Sequence, residues 1–130
     1  MYPAVAIYVA ILGLLAAVLT INVIRHRVAQ NIQMGDGGHE GLRQALRAQG
    51  NFIEQAPMML ILLASAEGAG ARIWLVHGIG IALLLARFAS AVALTQTLTQ
   101  TPLRQASGGL SVLLLIVTSI VLLLTMAGIR

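Results

Sequence analysis

At 130 residues the chain has room for one domain. Hydrophobic residues make up 58% of it and charged residues only 9%, against about 25% charged in soluble domains, so it lacks the polar surface to face water on every side. The net charge of +4 comes from arginines scattered along an apolar chain, which argues against nucleic acid, and the absence of cysteine excludes a disulfide framework, a thiolate nucleophile or a Cys-ligated metal.

A bilayer core needs roughly 20 apolar residues per helix. From Tyr2 to Ile24 there is no charge, and Arg25-His26-Arg27 ends the run. No basic residue precedes this run and it is too long for a signal-peptide core, so it predicts a first transmembrane helix. Residues 28–42 carry Gln30, Asn31, Gln33 and Gly35-Asp36-Gly37-Gly38, and predict a loop. A second span is expected over 45–66, interrupted by Asn51, Glu54 and Pro57. Glu67 to Arg72 reads as a short turn. The third span, 73–95, contains His77 and Arg87. A polar stretch from Thr95 to Ser107 includes Pro102 and Arg104, and the fourth span runs over 108–129 before Arg130. The expected architecture is an all-α membrane protein, a four-transmembrane-helix bundle forming a single domain over 1–130 with sequential neighbours antiparallel.

Arg25, Arg27 and Arg43 flank the first connection and Arg104 lies near the third, whereas the opposite side holds Arg72, Arg130 and Glu67. Basic loops stay in the cytoplasm, so both termini are expected outside it.

The polar residues of the second span form a constellation. Arg43, Arg47, Asn51 and Glu54 are spaced by four, four and three residues. At about 100° per residue they fall within roughly 80° of one helix face. Lipid cannot hydrate such a stripe, so it must meet other helices or water. Arg87 is isolated among apolar neighbours, and Glu54 is the only carboxylate inside a span. A Glu54–Arg87 ion pair, within one chain or between subunits, is therefore expected, either as part of a site or merely to fix helix register. Arg43, Arg47 and Arg104 taken singly read as lipid anchors, and taken together with Asn51 as an anion-binding pocket. Gly78, Ala82, Ala86 and Ser90 recur every fourth residue and predict a seam for close helix approach. His77 is expected to be a hydrogen-bonded packing residue, and neither His26 nor His39 has metal-site spacing, so no metal is expected. Four short helices without a repeat offer little for transport by alternating access.

The run Arg47-Ala48-Gln49-Gly50-Asn51-Phe52-Ile53-Glu54-Gln55-Ala56-Pro57 resembles the second-helix signature R-A-x-x-N-x-x-E-x-x-P of the MAPEG family, the membrane-associated proteins of eicosanoid and glutathione metabolism. All five fixed residues are present, and length and span pattern resemble the family along essentially the whole chain, as in its small bacterial members. Arg87 matches a recurrent family arginine, and Arg104, two residues after Pro102, falls where the family's thiol-activating arginine lies. The resemblance implies a homotrimer in a bacterial inner membrane, with active sites between subunits in the cytoplasmic half of the bilayer. It implies glutathione as co-substrate, held by Arg47, Asn51 and Glu54, with Arg43 in the same stripe and Arg104 stabilising the thiolate. The second substrate would be a lipophilic electrophile arriving from the bilayer.

This chain departs from the eukaryotic eicosanoid enzymes at three positions. Gln55 and Leu94 stand where tyrosines occur in the family, and Ser90 where a histidine is common. Those departures support the alternative reading, a non-catalytic member that binds another anionic ligand or lipid. A purely structural or partner-binding membrane protein is the third reading.

Overall fold

The structure, a computed structural model, describes residues 3–129. Expectations placed on Tyr2 and Arg130 lie outside the described residues. Four helices follow one another: α1 (Pro3–Gln30), α2 (Glu40–Gly68), α3 (Ile73–Gln96) and α4 (Pro102–Met126). Three of them, α1, α3 and α4, are long and apolar enough to cross a membrane. The fourth, α2, has 29 residues and so spans about 43 Å, but carries the charges of the polar stripe. It packs against all three of the others. The chain is an all-α integral membrane protein.

The helices outlast the apolar runs. α1 continues through Arg25-His26-Arg27 to Gln30, because a helix supplies its own backbone hydrogen bonds whether its side chains face lipid or water. α2 begins at Glu40 rather than within the apolar run, and continues through Pro57 without a break in assignment. α4 starts at Pro102, six residues before the expected fourth span. Proline suits the first helical turn, and the Thr101 hydroxyl caps that turn by accepting from the Arg104 amide at 3.2 Å.

The first connection is built around glycines. Gly35, Gly37 and Gly38 have φ of 67°, 56° and 78°, the left-handed region open to residues without a Cβ. Arg27 closes this loop from the end of α1, donating to the carbonyls of Ile32, Gln33 and Gly35 at 3.1–3.4 Å. At the other end of the bundle the Glu67 carboxylate accepts from the Ala4 and Val5 amides at 3.1 and 3.0 Å. It thereby satisfies two of the donors that a helix N-terminus leaves open, and places negative charge at the positive end of the α1 dipole.

In cross-section the bundle is a rhombus. α2 and α3 pack along its short diagonal, and α1 and α4 flank them without touching each other among the described residues. One broad face therefore shows α1, α2 and α4, the other α1, α3 and α4. The core runs through the middle, with Leu12, Met59, Leu63, Val76 and Leu83 almost fully buried.

The small-residue seam differs from expectation. Gly78 is exposed and a Cβ there would meet nothing within 4 Å. The close approach is at Gly80, two residues on, where the ring of Tyr8 from α1 occupies the space a side chain would need. The Tyr8 hydroxyl continues to His77, 2.8 Å from Nδ1 and 3.2 Å from the carbonyl oxygen, so His77 is engaged in packing α1 on α3.

Candidate functional site

The site is built on the polar face of α2. Arg43 lies at the loop end, where its Nε donates to the Asp36 carboxylate at 2.8 Å. Asp36 also accepts from the Gly38 amide at 2.9 Å. That amide, and next the Arg43 guanidinium, hold the Asp36 carboxyl below its ordinary range, and Asp36 in turn raises Arg43. Arg43 is thus occupied in fixing the loop.

One turn further along, Arg47 Nη1 donates to Glu54 Oε1 at 3.3 Å. Both side chains are about half exposed, 45% and 55% respectively. Glu54 is the central residue of α2, with fourteen residues on either side within Glu40–Gly68. The pair turns away from the core of its own chain.

Arg87 takes a different course from the one expected. It does not meet Glu54, which projects outward; instead it points into the bundle and is 1% exposed. Its Nη1 donates to Asn51 Oδ1 at 3.1 Å, and its Nη2 reaches the hydroxyls of Ser90 and Ser111. Asn51 is three residues from Glu54 on α2, and only the former is turned toward α3. The Ser111 hydroxyl hydrogen goes to the Ser107 carbonyl at 2.7 Å, which leaves the Ser111 oxygen free to accept from Arg87. One guanidinium thus ties α2, α3 and α4 together through neutral acceptors.

Arg104 lies two turns before Ser111 on the same face of α4, about 10 Å along the axis. It is half-buried, and its Nη1 donates to the Leu98 carbonyl at 2.6 Å. Arg47 on α2 and Arg104 on α4 both stand on the loop side of the Arg87 tie. Two buried side-chain atoms lack partners among the described residues, Arg87 Nε and Gln55 Oε1. Gln55 is one turn beyond Asn51, so an acceptor is left open beside the stripe.

Ser90 and Ser111 as acceptors for Arg87 were not singled out from the sequence. The available signal was the spacing of Ser107, Ser111, Thr118 and Thr125, which recur at three-to-four-residue multiples on the buried face of α4. Among the described residues no group of three or more His, Asp or Glu side chains could hold a metal ion.

Four helices, three of them long and apolar enough to cross a membrane, with a charged stripe on the second and a buried arginine on the third, define a class of small integral membrane proteins. A MAPEG family model matches residues 5–124, and the chain belongs to the MAPEG family. Over 82 residues it is 37% identical to Inner membrane protein YecN of Escherichia coli strain K12, and equally to the protein of that name from Escherichia coli O6:H1. That stretch is 63% of this chain and 63% of each relative, so the match spans less than two thirds of the relatives' own length. No solved structure matches the chain.

Proposed function

We propose that this protein is a glutathione-dependent membrane enzyme of the transferase or peroxidase type, acting on a lipophilic electrophile. The observation that carries the reading is the outward-facing Arg47–Glu54 pair on α2, with Glu54 at the midpoint of the helix. A charged pair on the outer face of a helix bundled with three membrane-crossing ones requires a polar neighbour, because lipid offers none. A second and third copy of the chain, with an anionic ligand between copies, would supply it. The stripe would then be half of a site completed by a neighbour, in a homotrimer.

The residues suit a peptide bearing carboxylates and a thiol. Arg47 engages Glu54 through Nη1, and Arg104 engages Leu98 through Nη1. Each guanidinium keeps further N–H donors for an anion. Glu54 can accept from an ammonium group, and Gln55 Oε1 is an open acceptor. Arg43 and Asn51 flank these groups, although each already has a partner within the chain. In the reaction the thiol proton leaves to solvent and Arg104 stabilises the thiolate. The sulfur then bonds to the electrophilic carbon as that carbon's leaving group departs or its π bond opens and takes a solvent proton. With a peroxide the sulfur bonds to oxygen as the O–O bond breaks, and the alkoxide takes a proton. A second glutathione thiol then displaces that oxygen as water to give the disulfide. We place the arginine-rich connections in the cytoplasm, with both termini outside it. We take residues 1–130 as one transmembrane domain in a bacterial inner membrane, the membrane that the relatives' name gives.

The test is glutathione calorimetry on the purified protein, repeated with Arg47→Ala, alongside ultraviolet detection of the thiolate with Arg104→Ala. Binding lost in the first variant, and thiolate lost in the folded second variant, are expected. Absence of glutathione binding by the folded wild type would overturn the reading. It would leave a family member that binds another anionic ligand or lipid, the reading favoured by Ser90 and Leu94, which are buried in the packing where the family has histidine and tyrosine.

A further inference from the structure

α1 and α3 run in the same direction, touch where Tyr8 meets Gly80, and stand apart at their other ends. The gap is a groove of about 340 Å³ on the face of the rhombus that shows α3, opposite the face that carries the polar stripe of α2. Its floor is apolar and buried, formed by Leu15, Leu19 and Ala91, and Phe88 and Val92 line it as half-exposed walls. Only its loop end is polar, with Asn22, Arg25 and Thr95. There it joins a second cavity of about 210 Å³ that shares Asn22 and Arg25 and adds His26 and Ala29. The combined shape is long and apolar within the bilayer, and becomes cationic where α1 leaves the apolar run.

Arg25 is the distinctive group. It is exposed and makes no hydrogen bond or ion pair among the described residues, whereas Arg27, half a turn away, is spent on three loop carbonyls. No carboxylate lines either cavity. An occupant must therefore present hydrocarbon to the floor and an anion to the end.

We propose that this groove binds an anionic phospholipid. One acyl chain lies between α1 and α3, and the phosphate sits at Arg25 and the Asn22 amide. The groove's volume is of the size that small-molecule sites use, and its division into an apolar length and a basic end matches the two parts of a lipid. This site is separate from the stripe on α2, and does not depend on the glutathione reading.

The experiment is native mass spectrometry of the delipidated protein in neutral detergent, given equal amounts of phosphatidylglycerol and phosphatidylcholine with the same chains. Wild type is expected to retain phosphatidylglycerol about fivefold better, the preference a single well-placed arginine gives. Arg25→Gln, at an exposed position that packing does not need, should bring the ratio to near one. Val92→Trp, which fills the groove from its wall, should lower retention of both lipids. Glutathione binding should be unchanged in both variants, which separates this proposal from the previous one. Equal retention of the two lipids by wild type, or an unaltered ratio in Arg25→Gln, would overturn the proposal. Displacement of phosphatidylglycerol by inorganic phosphate alone would do so too, by showing a site for a free anion. A Val92→Trp protein that changes its oligomeric state while keeping its lipid would assign the groove to a second copy of the chain instead.

Discussion

The ring of Tyr8 on α1 fills the space into which any side chain at Gly80 on α3 would project, so ring and α3 backbone are in direct contact there. Gly80→Ala must push the ring or the helices apart. The expected cost is about 1–3 kcal/mol, the range for overpacking a core position. Gly78→Ala meets open space and should be neutral or gain up to about 1 kcal/mol of helix propensity. Thermal unfolding of both variants in detergent checks this, and equal effects would contradict the Tyr8 contact.

Arg87 and Glu54 make opposite predictions according to their partners. Asn51→Ala removes the acceptor of a buried guanidinium N–H and should cost about 1.5–3 kcal/mol. Glu54→Gln breaks only a half-exposed contact with Arg47 and should change stability by less than about 1 kcal/mol. If Glu54→Gln proves the more damaging in single chains dissociated by detergent, Glu54 rather than Asn51 partners Arg87.

Glu67 should matter to a helix to which it does not belong. Glu67→Ala opens two amides at the start of α1 and removes a carboxylate from the helix dipole, a loss of up to about 2 kcal/mol in a partly buried setting. The readout is local: hydrogen exchange at Ala4 and Val5 should accelerate while that of the α3 centre stays slow. Uniform acceleration throughout would mean that the carboxylate stabilises the bundle as a whole instead.

The first loop should respond to acid. Asp36 is depressed below its ordinary value of 3.8 by the Gly38 amide and by Arg43. A depressed carboxyl contributes stability that is fully present above its unfolded value and is lost as pH falls through the folded one. The Asp36–Arg43 and Asp36–Gly38 contacts should therefore persist at neutral pH and release only below about pH 4. Exchange at the Gly38 amide, followed down in pH and compared with Asp36→Asn, reads this directly. A loop that opens near neutrality would need another titrating group.

Much of this molecule was legible in its residues because membranes impose a coarse rule. Apolar runs between arginine clusters locate all four helices, and R-A-x-x-N-x-x-E-x-x-P carries the resemblance to the family. Helix ends were less legible, since hydropathy reports where lipid stops and backbone hydrogen bonding does not stop there; α1 runs on to Gln30 for that reason. Side-chain partners were least legible. Charge counting paired Glu54 with Arg87, but rotation about α2 brings Asn51 to the guanidinium and turns Glu54 outward. Likewise every-fourth-residue spacing singled out Gly78, whereas the contact depends on where a tyrosine from another helix lands.

The tie at Arg87 has an electrical consequence. Asn51, Ser90 and Ser111 offer dipoles but no countercharge, and a guanidinium does not lose its proton in a protein. A whole positive charge therefore stays inside a medium that screens poorly. Its potential extends to the surface of α2 whether or not any ligand is present. Anions gain and cations lose by approaching that surface, so the bundle sorts visitors by sign before a single specific contact is made.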